Sequence, residues 1–278
     1  MEEHRTSLTL YAYNILGSYE EAKDIVQDVF LKFTLLDHEK IEDKKLYLIR
    51  MVINLAIDRK RKQKKQRANY PGHWLPEPLA TDDPESAIHK KQILSYSLMV
   101  LLEKLDTKQR AVFILKEAFD YDHEEIAKVL GITTESSRKI LSRARNDLKS
   151  NVHLVSGKSQ LNSLHKYLSV MERGDMKELE QLLTHEIFVV SDGGGKATTI
   201  MNIVSGIKSV SALLHGLYKK TYGKIRYTKG WVNYQPALFY YVDNQLVTCQ
   251  IFSVNGEQID HVFFIRNPDK MNGLPKIS

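Results

Sequence analysis

Apolar side chains recur at three-to-four spacing through Ile25, Val26, Val29, Phe30 and Phe33, which predicts one buried face of a helix. A second such stripe runs through Leu46, Leu48, Ile49, Val52, Ile53, Ala56 and Ile57. Residues 1–70 therefore read as helical, with Gly17 their single glycine. The run from Pro71 to Pro78 then places three prolines in eight positions. Proline lacks an amide donor and restricts the residue before it, so no helix interior fits here. Thr81-Asp82-Asp83-Pro84-Glu85 has the form of a helix cap, and helical periodicity returns from about Ser86 to Ser150. Within it, Glu124–Ile132 reads as a short helix ending at Gly131, which suits a left-handed turn. Thr133 or Thr134 then caps a second helix that turns Ile140, Leu141, Ala144 and Leu148 inward.

The pattern changes once more beyond Lys158. Leu161, Leu164, Leu168 and Met171 give one helical stripe, and Leu179, Leu182 and Leu183 another. After Glu186 the reading turns to strand, beginning with Phe188-Val189-Val190 and ending in Ser191-Asp192. A helix carrying Val210, Leu213, Leu214 and Leu217 follows, then strands over 225–232, 237–242, 245–254 and 258–266. Asn255-Gly256 is a strong hairpin signal and Asp243-Asn244 a weaker one. The expected fold class is multidomain: two all-α units followed by an α+β cone.

Composition narrows the function classes. Hydrophobic residues make up 42% and charged residues 27%, as in soluble globular chains. The one cysteine, Cys249, forms no internal disulfide and no Cys-rich metal site, which fits a reducing, cytoplasmic setting. No signal peptide or long apolar span is seen, so no membrane association is expected. No spacing fixes a metal site, a nucleophile–base pair or a cofactor, and the chain is read as no enzyme. Gly193-Gly194-Gly195 is not followed by the Lys-Ser/Thr of a phosphate loop.

The formal charge of +6 matters less than its placement. Arg59, Lys60, Arg61, Lys62, Lys64, Lys65 and Arg67 carry +7 within nine positions, more than a helix C-terminus needs. Such a run is either a solvated tail or an affinity device that binds nucleic-acid phosphates through counterion release. Tyr47 and Asn54 just before it suit unstacked bases. Asp24, Gln27 and Asp28 share another helix face, either a solvated surface or a docking ridge for a basic partner. The Gly131 turn and the basic helix after it form a helix-turn-helix pattern. Ser136 and Arg138 lie where base contacts are usual, and Arg143 and Arg145 where phosphates are met. Ser137 stands where an apolar side chain normally packs, which predicts a looser or shifted core.

Two DNA-binding helical units in this order resemble a bacterial RNA polymerase sigma factor of the extracytoplasmic-function (ECF) group. Asp24–Phe30 is similar to the region 2 helix that binds the polymerase clamp, Tyr47–Arg59 to the part that opens and reads the −10 element, and Gln109–Arg145 to region 4. The resemblance implies core RNA polymerase and promoter DNA as partners. Asp24, Gln27 and Asp28 would bind polymerase. Lys44, Tyr47, Arg50, Asn54, Arg59 and Arg61 would engage the −10 strand. Thr134, Ser136, Arg138, Lys139, Arg143 and Arg145 would read the −35 element.

The implied domains are region 2 over 1–70, a linker over 71–86, region 4 over 87–152 and an extension over 158–278. That extension resembles the SnoaL-like, nuclear-transport-factor-like domain of one ECF subgroup. Three motifs mark it: Trp74-Leu75-Pro76-Glu77-Pro78, Asp192-Gly193-Gly194-Gly195-Lys196 and Asn267-Pro268-Asp269-Lys270, followed here by Met271. The resemblance implies regulation in cis without a separate anti-sigma factor. The glycine loop is expected near the Trp74–Pro78 segment, with Lys196 meeting Glu77 or Asp269. Such cones also admit a small-molecule ligand, for which His215, Tyr227, Trp231, Tyr240, Tyr241 and His261 are either lining or ordinary core. Two rival readings are a helix-turn-helix regulator with a ligand-sensing domain and a SnoaL-type enzyme with a DNA-binding leader.

Overall fold

The computed structural model describes residues 4–36, 41–81, 92–148 and 157–277. They form two compact units. The first takes residues 4–36, 41–69, 92–94 and 98–148, and the second 70–81, 95–97 and 157–277.

In the first unit, α1 (Arg5–Leu16), α2 (Tyr19–Thr34) and α3 (Lys44–Gln66) pack around the two predicted stripes, whose members Val26, Val29, Val52 and Ile53 are fully buried. Side-chain caps set the helix starts: Ser18 accepts from Glu21 N and Asp43 from Leu46 N. After α4 (Tyr96–Leu101) come α5 (Thr107–Glu117), α6 (His123–Leu130) and α7 (Thr134–Leu148). Asp106 and Asp122 each form a reciprocal capping box, with Gln109 and Glu125. Gly131 closes α6 at φ +63°, and Thr133 rather than Thr134 caps α7, its Oγ1 accepting from Ser136 N. Leu141, Ala144 and Leu148 are buried as expected, whereas Ile140 is only half-buried. Ser137 does not loosen the core: it is fully buried, and its hydroxyl hydrogen-bonds His123 Nδ1 at 2.9 Å. A polar pair fills the position where most such motifs place a hydrocarbon.

The second unit is built on a seven-stranded sheet in the order β1-β4-β5-β6-β7-β2-β3. The strands are β1 (Ala80–Thr81), β2 (Leu183–Asp192), β3 (Val204–Ser205), β4 (Arg226–Val232), β5 (Gln235–Val242), β6 (Gln245–Asn255) and β7 (Gln258–Ile265). All neighbours are antiparallel except β2 and β7. The helices α8 (Gly157–Arg173), α9 (Met176–Gln181) and α10 (Ile207–Lys220) cover one face, with Leu164, Leu168, Val210 and Leu214 in a core shared with Leu238, Phe252, Val262 and Phe264. The helix-to-strand change comes earlier than expected, at Leu183 instead of beyond Glu186. The stripe through Leu183 passes from α9 into β2 without a break in its apolar content. Pattern alone therefore missed the boundary.

The proline-rich stretch, expected as a linker, is part of this unit. Leu75 to Pro78 are buried, and Ala80 and Thr81 pair with Val232 and Trp231 as an edge strand. Leu79 and Asn233 exchange hydrogen bonds at 2.9 and 3.0 Å, and Tyr234 N donates to Thr81 Oγ1. These contacts hold the β4–β5 turn, where Asn233 and Tyr234 both have positive φ. A tyrosine in that conformation gives no turn signal in sequence. The expected cap at 82–85 and the start of helical periodicity at Ser86 lie outside the described residues.

Candidate nucleic-acid interface

Asp24, Gln27 and Asp28 all lie exposed on α2. Beside them Leu31 is 65% exposed and Leu35 81% exposed. Sequence reading missed this apolar margin. The available signal was that neither leucine falls on the buried Ile25–Phe33 stripe.

On α3 the exposed side chains Tyr47, Arg50, Asn54 and Arg61 follow one another at helical spacing, with Lys44 at the N-terminal end. Tyr47 leans on Phe33, ring centroids 6.2 Å apart. Arg59 is half-buried and 3.9 Å from Glu21. The rest of the basic run divides. Arg61, Lys62, Lys64 and Lys65 are exposed, although Lys64 Nζ donates to Leu105 O at 2.6 Å. Lys60, by contrast, is 1% exposed.

On α7, Arg138, Lys139, Arg143 and Arg145 are exposed, and Thr134 and Ser136 are half-buried at its start. Lys139 pairs with Glu135 and Arg145 with Glu117, both at the surface, where such pairs hold weakly. Arg143 shares a cavity of about 460 Å³ with Arg61, Lys108 and Gln109. Asn54 and Arg61 line a neighbouring cavity of about 300 Å³ with Lys108, Leu130, Ile132 and Ile140. The basic faces of α3 and α7 thus meet across one groove inside the first unit. Cavities of this size suit a small ligand, not a duplex.

A charge cluster joining α3 to the turn before α5 was not anticipated. Glu103, in a 3-10 turn before α5, accepts from Lys60 Nζ at 2.7 and 2.9 Å, from Arg67 Nη1 at 2.8 Å and from Arg110 Nη1. Burial acts to raise the Glu103 pKa, but Arg110, Lys60 and Arg67 outweigh it and hold it down to about 2. Lys60 also donates to Leu16 O, and Arg110 Nε to Asn14 O, both at 2.9 Å. Burial, then repulsion from Arg110, pushes the Lys60 ammonium well below the usual lysine range. Nearby, Tyr11 stacks on Phe119 at 3.8 Å.

In the second unit the three marker motifs meet at one carboxylate. Asp192 is fully buried. Its Oδ1 accepts from Tyr70 OH at 2.6 Å and Gly194 N at 3.0 Å, and its Oδ2 from Leu75 N at 2.9 Å and Lys270 Nζ at 2.5 Å. Lys270 also donates to Leu75 O and lies 4.1 Å above the Trp74 ring. Asn267 Nδ2 donates to Tyr70 OH, and the Asp192 carbonyl accepts from Arg266 N and Asn267 N. A Cβ on Gly194 would stand 2.3 Å from Asn267, so that glycine is required by close approach as well as by φ +60°. Gly195 has φ +70° and Gly193 is buried. Lys196 meets Asp269 at 2.5 Å, while Glu77 is buried instead. Pro268 is exposed in the closing 3-10 turn.

The cone interior is packed where its residues were candidate lining. Tyr240 is buried and donates to Gln250 Oε1 at 2.9 Å, and Gln250 donates to Tyr167 OH. Tyr241 is buried, and His261 packs edge-on against Phe188. His215, Tyr227 and Trp231 are half-buried.

A helical module with a basic, aromatic-bearing face beside a helix-turn-helix defines a DNA-binding protein of the helix-turn-helix class. Comparison with known proteins gives the family. Residues 1–66 match the model of Sigma-70 region 2 and residues 95–148 that of Sigma-70, region 4. The ECF RNA polymerase sigma factor SigW of Bacillus subtilis is 30% identical over 49% of this chain and 78% of its own. SigJ of Mycobacterium tuberculosis, also an ECF sigma factor, is 29% identical over 99% of this chain and 93% of its own. The crystal structure of SigJ superposes with a TM-score of 0.79 at 27% identity, covering 99% of this chain and 98% of that one. The chain belongs to the ECF sigma factors. As such it binds core RNA polymerase and promoter DNA and serves transcription initiation. Among the described residues no helix is long and apolar enough to cross a membrane.

Proposed function

We propose that the C-terminal domain regulates this sigma factor in cis by controlling the segment that joins its two DNA-reading modules. The observation that carries this is the Asp192 clasp on Tyr70 and Leu75. The −10 and −35 elements lie about 25 base pairs apart, or about 85 Å at ~3.4 Å per step. A compact unit the size of the first has a radius of gyration of about 14 Å. The two modules must therefore separate to reach both elements. An extended chain spans at most about 3.4 Å per residue. Holding residues 70–81 on the second unit, with Ala80 and Thr81 as its edge strand, keeps about 40 Å of chain from bridging the modules. Polymerase, by binding the extended arrangement better, would shift the balance.

In this reading Asp24, Gln27 and Asp28, with Leu31 beside them, dock the polymerase. Lys44, Tyr47, Arg50, Asn54, Arg59 and Arg61 engage the −10 strand. Thr134, Ser136, Arg138, Lys139, Arg143 and Arg145 serve the −35 element. The protein performs no chemistry of its own, acts in the cytoplasm and is held in check without a separate anti-sigma factor. Run-off transcription with purified core polymerase tests this. The full chain should transcribe, and Asp24→Lys with Asp28→Lys should abolish it. Truncation after residue 157, and deletion of the tail from Asn267, should each change the yield. If both deletions transcribe like the full chain, regulation in cis is wrong.

A further inference from the structure

The cluster around Glu103 has no part in the roles above, although two of its cations, Lys60 in α3 and Arg67 in the 3-10 turn that follows it, belong to the basic run of residues 59–67. Those two side chains converge on the same carboxylate, at 2.7 and 2.8 Å. A carboxylate and a phosphodiester both offer two charged oxygens to such a fork. We propose that Lys60 and Arg67 form a receptor for a backbone phosphate of promoter DNA, which Glu103 fills while the modules are closed on each other. The proposal rests on the reading that α3 faces the promoter.

Two features favour a replaceable occupant over a permanent core pair. The first is charge. Three cations converge on Glu103, which stays partly exposed while Lys60 and Arg110 are buried. Ion pairs that take cations out of water are a poor source of stability. The second is connectivity. Lys60 and Arg67 stand at the end of the −10 module, whereas Glu103 lies within the −35 module, so the carboxylate leaves when the modules part. DNA and Glu103 then compete for one site, and each weakens the other. The neighbouring Tyr11–Phe119 stack closes the same junction without charge.

The test uses the full chain and a labelled duplex of random sequence, since phosphate contacts read no bases. Its affinity is followed by fluorescence anisotropy between low and moderate salt. Glu103→Gln should bind about tenfold tighter, with the log–log salt slope steeper by about 1 for the one phosphate newly neutralised. Adding Lys60→Gln and Arg67→Gln should remove both gains. Should Glu103→Gln lose its cooperative melt, Phe119→Ala opens the same junction, and its gain in affinity should likewise vanish with Lys60→Gln and Arg67→Gln. Unchanged affinity in Glu103→Gln overturns the proposal, as does a gain that survives loss of both cations. Transcription by the unaltered chain with core polymerase separates the failures. If that chain transcribes while Glu103→Gln binds DNA unchanged, only the receptor is wrong; if it does not transcribe, the reading beneath it is wrong.

Discussion

The two units each hold a carboxylate with cations, Asp192 fully buried and Glu103 partly exposed, and they do so differently. Asp192 faces one cation, Lys270, and receives a hydroxyl and two backbone amides on its remaining lone pairs. Glu103 faces three cations and receives nothing neutral among the bonds described. The first arrangement is balanced, so desolvation is offset and the clasp is rigid. The second gathers three cations on one acid and holds only while that acid stays. A clasp suits a segment that must be kept in place, and a cluster held by one acid suits a junction that must open.

Four changes would break or sharpen that contrast. Asp192→Ala should have the largest effect, since it strands a buried ammonium and three donors. A loss of about 3–5 kcal/mol in the thermal or denaturant unfolding of the second unit is expected. Acid should act next, and on the first unit. The Glu103 carboxyl is held at about 2 against an ordinary value of 4.5, so its contribution is complete above about pH 4.5 and fades as pH falls toward 2. Tyr11 and Phe119 fluorescence contact, or the spacing of two labels across the junction, should therefore loosen in that window, and Glu103→Gln should abolish the dependence. Tyr70→Phe removes one donor from Asp192 while leaving the ring under Lys270, and should cost about 1 kcal/mol by the same unfolding measurement. Lys196→Ala breaks a pair more than half exposed on both sides and should move stability by well under 1 kcal/mol.

Much of the secondary structure was legible because local chemistry dictates it. The stripes of α2 and α3, the Gly131 turn and the β5, β6 and β7 strands follow from spacing and caps within a few residues of one another. Where local chemistry was silent or ambiguous, reading failed. Leu183 was placed on a helix stripe and begins a strand, and the Asn233-Tyr234 turn lacks a glycine. Ser137 was read as a weakness because its partner, His123, lies on another helix. The family resemblance anticipated that the Asp192 loop would meet the Trp74 segment, and the contact is present; it did not anticipate Tyr70 as a donor.

What the amino-acid order determined by itself is the identity of the modules: amphipathic helices, a helix-turn-helix and a basic run arise from contacts one or two turns apart, which neighbours in sequence settle. What only the tertiary structure decided is which charges remain available. Lys60 and Arg61 are adjacent and chemically alike, yet one is buried against Glu103 and the other is exposed. A helix turns by about 100° per residue, so adjacent side chains meet different surroundings. Only the packing of distant segments fixes what those surroundings are.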